Sequence, residues 1–396
     1  MPHVSFASNL LWVMVIGLLG PSVPAIVAGL GISYAQAGFL FTLLSLGSLF
    51  GSSLGAIASD YVNRKRILVV CCALFAGGLL SIGFAPGYVA LCATVLVFSL
   101  FGSPIGSIGQ SVMLDMYPGQ RSRYLSLQTL FAAVGSFIAP LLVAANLAGG
   151  LSWRWPFFQT ALLLLVLVVA VMLVHIPDSA AKHSGRTPLR AIMRNPNMAI
   201  AAVLIFFYVS VDLGFSYWLA EYFSSELGVN VRLSSAAVSL FLVGMISSRL
   251  VTSRLVKRTA TKRILVFGLS LAATSLLAFI LVPVVWGKAV LACTYGLGVG
   301  PVFPLIVAKA SEEYPKQSGA VTGLLFGCVS LGGMVFPLVL GILATHVGIE
   351  RSYFLPFTVL IGLLLGILFW VRSRRPAQTI PSAKQSRSRD QETGSG

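Results

Sequence analysis

Along most of this chain the apolar residues follow neither the alternation of a half-buried strand nor the single stripe of a soluble helix. They run on for about twenty residues at a time, the length needed to carry a helix across a hydrocarbon core of about 30 Å. Such runs lie near 9–29, 36–58, 67–85, 88–113, 125–147, 156–175, 198–222, 234–254, 264–285, 289–310, 319–342 and 353–371. They predict an all-α polytopic membrane protein with helices 1 to 12, in that order. Tight turns, APGY at 85–88 and VVWGK at 284–288, join helices 3 to 4 and 9 to 10. The first run has no basic segment before it and more spans after it, so it is expected to be a retained helix and not a signal peptide.

Polar residues divide the chain. The longest internal polar stretch, 176–197, separates a first six-helix unit (1–175) from a second (198–372), and a basic, Ser-rich tail (373–396) is expected to be disordered. Only 10% of residues are charged, against roughly 25% in soluble domains, which excludes a water-soluble fold. Of the 27 Lys and Arg, 23 fall on the side of the membrane that holds both termini; Arg154, Arg232, Lys288 and Arg351 fall on the other. The positive-inside rule then places both termini in the cytoplasm, in a bacterial inner (cell) membrane. The net charge of +16 reads as topology and attraction to anionic lipid, not as a nucleic-acid surface.

Candidate chemistry is sparse. The five cysteines lie in apolar runs and read as small buried hydrophobes. His3, His175, His183 and His346 are not spaced to share a metal. With no Gly-rich phosphate loop and no assignable Ser/His/Asp set, the chain is expected to be no enzyme and to need no cofactor.

The chain repeats itself at an offset of 197 residues. Gly17 meets Gly214, Gly47 meets Gly244, KRILV at 65–69 meets KRILV at 262–266, and Pro86 meets Pro283. YPGQ at 117–120 meets YPKQ at 314–317, Gly135 meets Gly332, and Pro140 meets Pro337. Shared turn residues in one ungapped register imply two six-helix bundles of common origin. Six helices return the chain to its starting side, so the halves share one orientation and are related by a pseudo-two-fold along the membrane normal. Within this frame GAIASDYVNRKRIL at 55–68 resembles the loop 2–3 signature of the major facilitator superfamily through Asp60, Arg64, Lys65 and Leu68. Tyr61 and Asn63 depart from it. The second copy, 247–265, keeps Arg249, Lys257–Arg258 and Lys262–Arg263 but has no acid.

That resemblance implies a substrate site at midplane between the halves, lined by helices 1, 4, 7 and 10. It also gives the signature a role. Asp60 ends helix 2 where helix 11 should begin near Gly319, and an acid is favourable at a helix N-terminus by roughly 0.3–1 kcal/mol. With Arg64 and Lys65, and with Arg249 and Arg258 of the second copy, it would latch the halves on the inside; plain solvation of an orienting loop is the other reading. Arg249, about fifteen residues into helix 8, reads as a gate or latch residue in preference to a ligand.

Helix 7 holds the acid that most needs explaining. Asp212 lies fourteen residues into its run, about 21 Å deep, in sequence that is otherwise apolar and aromatic, where a carboxylate costs about 3 kcal/mol even on mild scales. Tyr208, Asp212 and Ser216 share a face at i, i+4, i+8, and Tyr217, Trp218 and Tyr222 continue outward. Trp218 is placed to stack on a sugar or other flat ligand; Tyr222 reads as such a ligand contact or as part of the interfacial aromatic belt. YVSVDLGFSYWLAEY at 208–222 resembles helix 7 of the fucose-permease-like sugar:proton symporters, with Tyr208, Gly214, Trp218 and Tyr222 matching and Asp212 standing for their Glu. The carboxylates that group carries in helices 1 and 4 are missing; Gly106 falls where the helix 4 Glu would be. Asp212 is thus either the coupling or substrate group, or a structural acid bonded to Tyr208 or an Arg. Gln110 and Gln128 serve substrate hydroxyls or join helices.

The expected function is secondary active transport of a small polar solute, sugar-like by resemblance, by alternating access, with a proton carried through Asp212 and the protein a monomer in the lipid bilayer. The alternatives are a drug/proton antiporter of the same superfamily, whose helix 5 motif is absent after Pro140, and a non-transporting membrane sensor.

Overall fold

The computed structural model describes residues 2–117, 120–174, 194–256, 258–312 and 318–372. Among these, twelve helices are long and apolar enough to cross a membrane. They are α1 (Pro2–Leu30), α2 (Tyr34–Tyr61), α3 (Arg64–Ser81), α4 (Tyr88–Met116), α5 (Arg121–Ala148) and α6 (Trp155–Leu173) in the first half. The second half holds α7 (Pro196–Ser225), α8 (Val231–Leu255), α9 (Thr261–Leu281), α10 (Val285–Glu312), α11 (Ser318–Val347) and α12 (Phe354–Arg372). Helix α10 is two segments, Val285–Val299 and Val302–Glu312.

Local chemistry sets the helix starts. Ser33 opens α2 with a capping box: its hydroxyl accepts from the Gln36 amide at 3.2 Å, and the Gln36 side-chain oxygen accepts from the Ser33 amide at 2.9 Å. Asn63 caps α3, Asn195 caps α7 ahead of Pro196, and Asn230 caps α8. Helix α1 begins at Pro2, earlier than the apolar run suggests, because Ser5, Ser8 and Asn9 bond within the bundle. The Ser5 hydroxyl reaches Gly109 O at 2.8 Å, and the Asn9 side chain reaches Gln128 O at 2.9 Å.

The two halves pack alike. Helix α1 lies on α5, α2 and α3 on α4, and α3 on α6; correspondingly α7 lies on α11, α8 and α9 on α10, and α9 on α12. The repeated Gly47 and Gly244 sit at the same crossings. A Cβ on Gly47 would stand 2.9 Å from Leu96 O, and one on Gly244 would overlap Cys293 O, so only glycine lets these backbones touch.

The bundles meet through α1 with α7, α2 with α11 and α5 with α8, and they meet at one end. At the end away from the termini, the Ala35 amide donates to Thr345 Oγ1 at 3.1 Å, and the Thr42 hydroxyl to Met334 O at 2.6 Å. There too the Ser235 hydroxyl donates to Pro21 O at 2.8 Å, and Phe41 stacks on Tyr217 with ring centroids 4.2 Å apart. Gly38 lies so close to α11 that a Cβ would stand 2.8 Å from Pro337 O. Toward the terminal end the same helices part. Phe50, Leu54 and Ile57 of α2 are about half exposed, as is Phe326 of α11. Gly323 and Gly327 have nothing within 4 Å of a built Cβ. A crevice therefore opens between the bundles toward the terminal end and is sealed at the opposite end.

Candidate functional site

Asp212 sits about 24 Å along α7 from Pro196 and is partly exposed, on a helix whose neighbouring residues are mostly buried. The Tyr208 hydroxyl, one turn earlier, donates to Asp212 Oδ2 at 3.1 Å. The third member is Arg249 of α8, whose guanidinium interacts with the Tyr208 hydroxyl and with the charge on Asp212. Its Nε donates to Gly300 O at 3.2 Å.

That carbonyl is free for a reason written in the sequence. In an α-helix Gly300 O would accept from the amide of residue 304, and residue 304 is proline, which has none. Pro301 likewise removes the donor for Leu297 O, and α10 breaks at Gly300–Pro301. Non-helical backbone at membrane depth persists only where it is buried in protein or lines a cavity, and Arg249 supplies the missing donor. Tyr295, on the first segment of α10, donates to Val211 O at 2.7 Å and ties α10 to α7 beside the acid. Helices α7 and α8 thus present a carboxylate, a phenol and a guanidinium as one cluster, and α10 supplies the carbonyl that holds the guanidinium.

The first bundle contributes differently. Gln110 of α4 is exposed. Gln128 is buried; its Nε2 donates to Ser5 Oγ at 2.8 Å, and Ser5 in turn reaches α4. Gln128 thus joins α5, α1 and α4 and presents no group to a ligand here.

The outer aromatics also differ from expectation. Trp218 has no exposed surface; its Nε1 donates to Pro337 O at 3.1 Å, and its ring meets Tyr34 and Phe41 edge-on. The stacking face foreseen for it is closed by the other bundle. Tyr217 lies in the same seal against Phe41, and Ser216 is buried between it and Asp212. Tyr222 is not in an interfacial belt: it is fully buried, accepts from Lys288 Nζ at 2.6 Å, and lies 3.5 Å from Glu350 Oε1.

These two bundles around one crevice can be set beside known proteins. The sequence model of the Major Facilitator Superfamily matches residues 5–334 and 289–392. The chain belongs to the Major Facilitator Superfamily. A TsgA homologue of Buchnera aphidicola subsp. Schizaphis graminum is 20% identical over 77% of this chain and 78% of its own. The uncharacterized MFS-type transporter YfkL of Bacillus subtilis is 22% identical over 87% and 88%. Among solved structures, a bacterial homolog of the human lysosomal transporter Spinster, inward-facing and occupied, superposes with a TM-score of 0.79 at 15% identity over 95% of this chain and 98% of that one. The nucleoside transporter NupG gives 0.77 at 17% over 94% and 98%. At such identities the structures speak to fold alone; membership of the superfamily makes the chain a membrane transporter and not an enzyme.

In this Major Facilitator chain the signature residues lie at the open, terminal end. Asp60 is in the last turn of α2, and its side chain lies outside the described residues. Arg64 is buried at the start of α3. Lys65 donates from Nζ to Met172 O at 2.7 Å, satisfying a carbonyl in the last turn of α6, which is a contact within one bundle. Arg258 is exposed just past α8. Arg249 is the one whose position reverses its reading: it belongs to the Asp212 cluster. Pro304 four residues after Gly300 was the sequence signal for that.

Lys288 was misplaced as well. Sorted by sequence into a loop, it is buried, and its Nζ donates to Phe279 O at 2.6 Å and to Ile280 O at 3.4 Å. It caps the C-terminus of α9, where a cation is favoured.

Proposed function

We propose that this transporter is a secondary active carrier of a small polar, sugar-like solute, working by alternating access and coupled to protons through Asp212. The observation that carries this is the Asp212–Tyr208–Arg249 cluster: a partly exposed carboxylate at membrane depth, held by one phenol and opposed by a cation bound to the broken helix α10. An intramembrane acid in such a place marks a substrate or proton pathway. Because Arg249 balances Asp212, the cluster suits a neutral polyhydroxylated solute better than a multiply charged one. The likeness of α7 to the fucose-permease-like group and the fold shared with the nucleoside transporter NupG both support a sugar-bearing solute. The excess of basic residues at the terminal end supports termini in the cytoplasm of a bacterial inner membrane, so that the crevice faces inward.

The test is transport by purified protein in liposomes, with solutes first chosen by thermal shift from sugars, nucleosides, amino acids, organic acids and cationic drugs. Asp212→Asn is expected to abolish proton-driven accumulation while expression and folding stay near wild type. Full accumulation by that variant removes Asp212 from coupling, and stabilisation by cationic drugs alone selects the antiporter reading.

A further inference from the structure

Glu221 lies nine residues beyond Asp212 on α7, about 14 Å farther along the helix and on the sealed side of the crevice. It is 4% exposed, and its Oε2 is buried with no hydrogen-bond partner among the described residues. The groups that face it are the Tyr34 hydroxyl, which comes across from α2 of the other bundle, Glu226 just past the end of α7, and Tyr353 ahead of α12. None is a cation. Lys288, in the same half of the bundle, is already engaged by Tyr222 and the end of α9. An ionised carboxylate with an undonated oxygen, a neighbouring acid and no counter-ion is costly to bury; a protonated one is far less so.

The seal that buries Glu221 is the contact between the bundles. Tyr34 is the first residue of α2, and the adjacent Ala35 amide holds Thr345 of α11. Parting the bundles at this end withdraws Tyr34 and admits water to the carboxyl. We infer that Glu221 is a second proton-binding site, loaded when the end away from the termini closes and released when it opens. The inference rests on the alternating-access reading and is independent of Asp212. It makes closure of this gate proton-linked. Low pH on that side favours the closed gate, and rising pH pulls it open, because ionised Glu221 is accommodated only in the open state.

Hydrogen–deuterium exchange on the full chain in lipid nanodiscs reads the gate through segments 34–42 and 337–347, after correction for the intrinsic pH dependence of exchange. In wild type, exchange there is expected to rise by up to about tenfold per pH unit over the range in which the closed state holds one more proton than the open one. Glu221→Gln, a fixed neutral side chain, should leave exchange low and flat; a retained wild-type response overturns the inference. If Gln is not tolerated, Glu221→Asp decides: a displaced midpoint supports the site, and an unmoved one overturns it. In Asp212→Asn the gate response should persist. Its loss there assigns the response to Asp212 and sinks the inference, whereas normal transport by Asp212→Asn with the gate response intact sinks only the coupling role of Asp212.

Discussion

Arg249 and Asp212 come from different helices and are linked through one shared group. Tyr208 donates to Asp212 and interacts with Arg249, and Arg249 holds the carbonyl of Gly300. Removing the cation alone leaves a carboxylate without its nearby countercharge and a backbone oxygen without its donor in a low-dielectric setting. Arg249→Met is therefore expected to cost about 1–3 kcal/mol, the desolvation penalty of stranded polar groups. Asp212→Asn, which removes the charge but keeps the hydrogen-bonding shape, should cost less. In the double variant no unbalanced charge is left, so the two losses should fall short of additive by about 0.5 kcal/mol or more. Thermal unfolding of the four proteins in detergent measures this cycle. Strict additivity means that the two side chains act separately, and the cluster is then not one unit.

Helices α4 and α10 are copies of each other in the repeat, yet one is continuous and the other is broken. Pro104 and Pro301 occupy the same position at the 197-residue offset, so proline alone does not decide. The difference is Gly300 and Pro304 in α10 where α4 has Ser103 and Ser107. Ser107 keeps its amide, and its hydroxyl adds bonds to Ser103 O and Pro104 O at 3.4 and 3.2 Å. Pro304→Ala is expected to restore the amide for Gly300 O, release Arg249 from it and stiffen α10. If the break serves as the hinge of a site helix, turnover should fall several-fold with KM changed by less than about twofold; unchanged turnover would remove the break from the mechanism. The helices and their repeat were legible in the sequence because lipid demands long apolar runs and turn residues keep register. The Asp212–Tyr208 pair was legible because i, i+4 fixes a face. Arg249 and Lys288 were not. Counting along their own helices gave depth but not which neighbouring carbonyls, at Gly300 and Phe279, lacked donors.

At the scale of the whole molecule, the residues of the seal and of the open end lie on the same two helices. The N-terminal half of α2 is locked to α11 through Ala35, Gly38 and Thr42, while in its C-terminal half Phe50, Leu54 and Ile57 are about half exposed. Which end is closed depends on a small free-energy difference between two packings of one sequence, and for that reason no pattern of apolar residues reports it. This asymmetry sets the expectation for Asp60, which ends α2 on the parted side. A latch from Asp60 to the start of α11 would act at the terminal end and not on the seal. Such a latch would form when the crevice closes at the terminal end and the opposite end opens. Removing it should destabilise that second state alone. Asp60→Ala is thus expected to leave the affinity for solute in the present state within about twofold and to slow turnover by about tenfold for each 1.4 kcal/mol by which the second state is weakened. Binding measured by calorimetry beside transport rates in liposomes separates the two effects. Loss of affinity with turnover intact would place Asp60 among the groups that shape the site and leave the open end without a latch.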